Sequence, residues 1–183
     1  AGRVPLFQQV ITQPIFLVGP MGAGKSTIGK LLAAQLGLPF ADSDKVLEDR
    51  TGADIPWIFD VEGEAGFRRR ESEVLKDLCT GEPQVIATGG GIVLLPENRA
   101  LLKAHGFVVY LRASLDQLVE RTSKNSNRPL LQVADPRGKL REILLQREPF
   151  YSEVADLVCD TNDCTPKQAS ILVSNRLLSR AEG

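Results

Sequence analysis

Short apolar runs alternate along the chain with stretches whose apolar residues recur every three or four positions. Ile15-Phe16-Leu17-Val18 is continuous and ends in glycine, the pattern of a strand buried on both faces. From Lys25 to Leu36 the residues Ile28, Leu31, Leu32 and Leu36 fall at helical spacing, and Gly37 follows as a stop. Leu38-Pro39-Phe40-Ala41 then leads into Asp42-Ser43-Asp44. Further strands are predicted over Val85–Ala87, Phe107–Leu111 and Leu157–Cys159. Helical patterns lie near 63–80, 96–104, 114–123, 136–147 and 165–179. Buried strands alternating with helices predict right-handed βαβ units and an α/β fold, a parallel sheet with helices on both faces. Ser123 to Pro136 is polar, holds two prolines and has little periodicity, so it reads as a long loop of the kind that serves as a lid.

Composition narrows the class. The chain has 183 residues, 43% of them apolar and 25% charged, which suits one ordinary globular domain. No apolar run approaches the ~18–20 residues of a membrane-spanning helix. The net charge of −1 argues against a protein built to coat nucleic acid. Three Cys make no disulfide framework and point to a reducing compartment. A cytoplasmic location is the expectation, with an organelle as the alternative because the chain starts at Ala1. Residues 1–14 lack the charged start and apolar run of a secretory signal and read as an N-terminal arm ahead of a single domain over 15–183.

Gly19-Pro20-Met21-Gly22-Ala23-Gly24-Lys25-Ser26 fits G-x-x-x-x-G-K-[ST] in full, after a predicted strand and at the start of a predicted helix. Such a loop turns several backbone N–H groups toward phosphates, and the helix N-terminus adds positive potential. A lysine there places charge between the β and γ phosphates, and the following hydroxyl ligates Mg²⁺. Gly22 to Thr27 are therefore the candidate ATP-binding residues, with Lys25 catalytic and Ser26 a metal ligand. The N-K-x-D motif of a guanine-reading switch is absent, and Asp60-Val61-Glu62-Gly63 is taken as a coincidental match to D-x-x-G. The strand Val85-Ile86-Ala87-Thr88 does not end in the acid that a motor ATPase would carry.

Three further features surround this loop. Asp42 and Asp44 follow the second strand. In an extended segment they would share a face, one holding the Mg²⁺ water shell and the other accepting a hydroxyl proton. The alternative is an Asx turn in which Asp44 caps the next helix. Gly89-Gly90-Gly91 ends a strand and offers backbone without side chains to a small ligand. Arg68-Arg69-Arg70 lies on a predicted helix, where successive side chains diverge by roughly 100°, so at most one or two can face a cleft. Arg128 precedes a proline in the lid, and Arg147 precedes Glu148-Pro149, where a helix should stop. His105 and Trp57 are given surface and local-packing roles, and the cysteines show no zinc spacing.

The phosphate loop, Asp42-Ser43-Asp44, Gly66-Phe67-Arg68, Gly89-Gly90-Gly91, Arg128-Pro129-Leu130-Leu131 and Arg147-Glu148-Pro149-Phe150-Tyr151 occur in the order found in shikimate kinases. In this the chain resembles that family from about Ile15 to Arg176. The resemblance implies a nucleoside-monophosphate-kinase-like P-loop fold with five parallel strands ordered 2-3-1-4-5. It also implies a substrate-binding helical region near 43–72 and a lid near 123–136. The implied reaction moves the γ-phosphoryl of ATP to the 3-hydroxyl of shikimate, with Mg²⁺, in aromatic amino acid biosynthesis.

Residue by residue, the resemblance makes Asp44 the acceptor-binding candidate base and Asp42 a support for the Mg²⁺ water shell. Arg68 and Arg147 would hold the shikimate carboxylate, and Gly89, Gly90 and Gly91 would line its pocket. Arg121 would stack on adenine, behind which lies Thr161 to Pro166, and Arg128 would be a catalytic contact to the ATP phosphates. ATP and shikimate are the expected partners of a monomer that binds neither nucleic acid nor membrane. The alternatives are a kinase for gluconate or a nucleoside monophosphate, against which Phe67-Arg68 and the triple glycine argue. A regulatory nucleotide-binding module without catalysis is the third reading, against which Lys25, Asp44 and Arg128 argue.

Overall fold

The computed structural model describes residues 11–123 and 134–182, and the side chains among them up to Ser179. Five strands, β1 (Ile15–Val18), β2 (Phe40–Asp42), β3 (Val85–Ala87), β4 (Phe107–Arg112) and β5 (Leu157–Asp160), form one parallel sheet in the order β2-β3-β1-β4-β5. β1 is central, with Ile15 opposite Val85 on one side and Phe107 on the other. This is the predicted fold class and strand order.

The two faces of β1 explain its unbroken apolar run. Phe16 and Val18 join one core with Leu47, Leu75, Ile86, Val108, Tyr110 and Tyr151. Ile15 and Leu17 join another with Ile28, Leu32, Val85, Val109 and Val173. Alternate residues serve opposite faces, and both faces are covered by helices. Helices α1 (Lys25–Leu36) and α7 (Pro166–Glu182) pack together beneath the second core. Helices α2 (Ser43–Thr51), α3 (Ile55–Thr80), α4 (Pro96–His105) and α6 (Pro136–Val154) cover the first, and α5 (Leu115–Ser123) packs against α6.

Three predicted elements are corrected. Residues 43–51 are helical, as the resemblance implies for 43–72, so Asp44 stands in the first turn of α2 rather than in extended chain. The following helix begins at Ile55, eight residues before the predicted start, capped by Asp54 and broken at Gly63, where φ is 73° and ψ 179°. That break hid the first half, because the apolar period changes phase across it. Finally, α6 does not stop before Pro149 but runs on to Val154. The proline removes a donor that would have served Leu145, whose side chain is exposed, and the buried Tyr151 and Val154 anchor the turn beyond it. Trp57 is 54% exposed rather than packed locally. His105 is exposed at the end of α4, as expected. No helix among the described residues is long and apolar enough to cross a membrane.

Candidate active site

The C-terminal ends of β1, β2 and β3 open into one cavity of about 470 Å³. Parallel α/β sheets place ligands at this edge. The loop after β1 supplies Gly22, Gly24, Lys25, Ser26 and Thr27 to its wall. Gly22 and Gly24 take φ of 89° and 94°, a region that side chains other than glycine rarely enter. Gly24 caps α1, so the helix N-terminus faces the cavity. The Lys25 ammonium folds back to donate to the carbonyls of Gly19 and Pro20. Ala23 is buried beneath the loop.

Asp42 does two things at once. Its Oδ1 accepts from the backbone N–H of Asp44 at 3.0 Å and of Lys45, capping α2. Its Oδ2 accepts from the Ser26 hydroxyl at 3.1 Å. The Asx turn and the functional placement are thus one arrangement, and the cap is Asp42, not Asp44. Both carboxylates still line the cavity. Burial, reinforced by the charge of Asp42 and opposed by Lys25, raises Asp44 from 3.8 to about 6.

Arg68 alone of the arginine triplet enters the cavity, as the helical divergence requires. Arg69 is exposed, and Arg70 pairs with Glu62 at 2.8 Å. Arg68 is 14% exposed and is held by Glu71 at 3.0 Å and Glu64 at 3.6 Å. Arg147, on α6, lines the same cavity. The Nε atoms of both arginines are buried without a hydrogen-bond partner.

The triple glycine lies where the charged groups crowd the backbone. A Cβ on Gly89 would stand 2.7 Å from an Asp44 carboxylate oxygen, and one on Gly90 3.3 Å from Arg147 Nη1. The segment is tied down: Gly89 N–H donates to Ser43 Oγ at 3.2 Å, and Gly90 accepts from the Tyr151 hydroxyl at 2.6 Å. Asn98, fully buried, donates to Ile92 just beyond and accepts from Ser72.

Arg121 reaches back from α5 to donate to the carbonyls of Gly22 at 3.1 Å and Thr161 at 3.2 Å, so it joins the phosphate loop to the segment after β5. Arg128 and residues 124–133 of the proposed lid lie outside the described residues.

Sequence reasoning missed Glu71 and Tyr151. Glu71 is almost fully buried, and burial, opposed by Arg68, pushes it up to about 7. Its signal was present, since Arg68 and Glu71 stand three residues apart on a helix. Tyr151 stands four residues after Arg147 on α6, a relation hidden by ending that helix at Pro149.

A glycine-rich phosphate loop after the central strand, acids at the next strand's end and an arginine-lined cavity beyond them define a P-loop kinase for a small anionic acceptor. The comparisons carry this further. A family model described as shikimate kinase matches residues 21–177, and the chain belongs to that family. A shikimate kinase of Pseudomonas syringae pv. syringae (strain B728a) is 56% identical over 163 residues, 89% of this chain and 95% of the relative. One from Thioalkalivibrio sulfidiphilus (strain HL-EbGR7) is 57% identical over 151 residues, 82% of this chain and 80% of the relative. Among solved structures, shikimate kinase from Acinetobacter baumannii in complex with shikimate aligns with a TM-score of 0.89 at 46% identity, covering 95% of this chain and 98% of that one. A gluconokinase from Sinorhizobium meliloti 1021, 17% identical with a TM-score of 0.60, shares the fold alone.

Proposed function

We propose that the chain transfers the γ-phosphoryl of ATP to the 3-hydroxyl of shikimate. The observation that carries this reading is the convergence of Arg68, Arg147, Asp44 and the triple glycine on the cavity that the phosphate loop also lines. Arg68 and Arg147 clamp the acceptor carboxylate, both guanidinium side chains lining the same cavity. Asp44 orients the attacking hydroxyl and takes its proton, a task suited to a carboxyl raised to about 6.

The phosphate loop, with Lys25 and Thr27, receives the ATP phosphates, and Arg121 and the Thr161–Pro166 segment receive the adenine. Arg128 closes over the phosphates with the lid. Lys25 and Arg128 balance charge developing on the transferring phosphoryl, so removing either costs roughly 10³–10⁵ in rate by analogy with arginine fingers. Closure excludes water, which would otherwise compete as acceptor.

Ser26 and Asp42 suit Mg²⁺. They are hard oxygen donors 3.1 Å apart beside the phosphate loop, and Mg²⁺ is commonly held by one or two protein oxygens, waters and substrate phosphates rather than by an all-protein cage. Among the described residues no cluster of three or more His, Cys, Asp or Glu offers such a cage. Ser26 would hold the ion directly and Asp42 through water, and the ion would supply charge neutralisation to the ATP phosphates.

ADP release is measured with ATP–Mg²⁺ and shikimate, gluconate, nucleoside monophosphates or no acceptor. Turnover with shikimate alone is expected. Turnover with another acceptor would overturn the Arg68 and Arg147 assignments while leaving the phosphate loop intact. ATP binding without any turnover would return the reading to a regulatory module.

A further inference from the structure

The two arginines of the proposed clamp are held by different means. Arg68 is braced by the carboxylates of Glu71 and Glu64. Arg147 has no ion pair among the described residues. Its neighbour is instead the phenol of Tyr151, one helical turn along α6 and fully buried. The Arg147 guanidinium lies beside the Tyr151 hydroxyl, both flanking Gly90. That hydroxyl donates to the Gly90 carbonyl at 2.6 Å. A Cβ on Gly90 would meet Arg147 Nη1 at 3.3 Å and Tyr151 Oη at 3.7 Å, so all three groups share one corner of the cavity. The Tyr151 ring is itself fixed by Tyr110, its centroid 5.2 Å away at 31°, and the Tyr110 hydroxyl bonds the Glu148 carboxylate next to Arg147.

We propose that Tyr151 is a positioning residue for acceptor binding: its hydroxyl donates to Gly90 beside Arg147, holding the glycine backbone and the guanidinium against one another in one frame. A phenol does this without cancelling the cation. A carboxylate at the same place would compete with the ligand's own carboxylate for Arg147. The inference rests on the proposed role of Arg147 in holding shikimate.

The test is a double-mutant cycle of Tyr151→Phe and Arg147→Ala, read by shikimate and ATP dissociation constants and by steady-state kinetics. Tyr151→Phe keeps the ring and its packing. It is expected to raise the shikimate constants about tenfold, the upper size of one lost hydrogen bond, and to leave ATP binding unchanged. In the Arg147→Ala background the same substitution should add less than about twofold. Shikimate binding unchanged in Tyr151→Phe while Arg147→Ala weakens it would overturn the proposal alone. Equal weakening of ATP and shikimate, or full additivity with Arg147→Ala, would reduce Tyr151 to a packing residue and overturn it too. Arg147→Ala with native shikimate affinity would remove the clamp reading, and the proposal with it.

Discussion

A Cβ placed on Gly91 would stand 2.6 Å from both terminal nitrogens of Arg68. The glycine is therefore the floor on which the guanidinium lies. Arg68 cannot swing aside freely, because Glu71 holds it from within the core. Gly91→Ala should displace the guanidinium and weaken shikimate binding by about 10–100-fold, the range for a lost hydrogen bond to a charged group. The ATP constant should stay within about twofold, since the phosphate loop is untouched. Titration of each ligand separately checks this, and an unchanged shikimate affinity would break the link between the triple glycine and the arginine.

Asp42 joins a helix cap to the phosphate loop, and substitution can separate the two tasks. Asp42→Ala removes the acceptor for the Asp44 and Lys45 N–H groups and should cost about 1 kcal/mol of stability. Asp42→Asn keeps a capping oxygen and should restore most of that stability. It should not restore the rate, because the negative charge beside Ser26 is gone. Denaturant unfolding and Mg²⁺-dependent turnover of both variants check this. Recovery of turnover by Asn would confine Asp42 to capping.

The fold was legible because its signals are local and consistent. Ile15–Val18 is apolar on both faces and ends in the phosphate loop, so the central strand announces itself. The arrangement of the acids was half legible. Asp42 and Asp44 do share the cavity, but through a helix cap rather than an extended pair, and sequence spacing alone does not distinguish these. Arg147 was found by resemblance, whereas its neighbour Tyr151 was obscured by Pro149. A proline ends a helix only where nothing beyond it is anchored, and Tyr151 and Val154 are buried. Glu71 carries an ordinary helix-spaced pairing with Arg68. Its burial, which gives it consequence, follows from α3 packing on the sheet and is not a property of the sequence window.

Pro149 itself makes a prediction. Within α6 it leaves the carbonyl one turn earlier without its helical donor. Pro149→Ala returns that donor, against a gain in unfolded-chain entropy of about 0.4–1 kcal/mol. A net stabilisation of about 2–2.6 kcal/mol is expected, since interior prolines cost about 3 kcal/mol. Unfolding midpoints check it. Destabilisation would mean that the bend at Pro149 is needed to aim the end of α6, and turnover should then fall as well.

Glu71 should make stability depend on pH in a particular direction. Burial holds its proton in the folded chain until about 7, against an ordinary value of 4.5, despite the opposing pull of Arg68. Below 4.5 both folded and unfolded chains carry the proton, and Glu71 imposes no penalty. Between 4.5 and 7 the unfolded chain has released it while the folded chain retains it, so stability falls as pH rises through this window. Above 7 both are ionised and the penalty is complete, each pKa unit being worth about 1.4 kcal/mol. Gln at this position cannot titrate. Glu71→Gln should therefore gain on the native chain as the pH moves from 5 to 8, whatever its stability relative to native at pH 5. Paired denaturant titrations at the two pH values measure the change in that difference. A flat difference would show that Arg68 compensates the buried charge in full. Shikimate binding should weaken in Glu71→Gln at pH 8, where the neutral amide braces the Arg68 guanidinium less strongly than the ionised carboxylate does, and should change little at pH 5, where native Glu71 is itself a neutral acid.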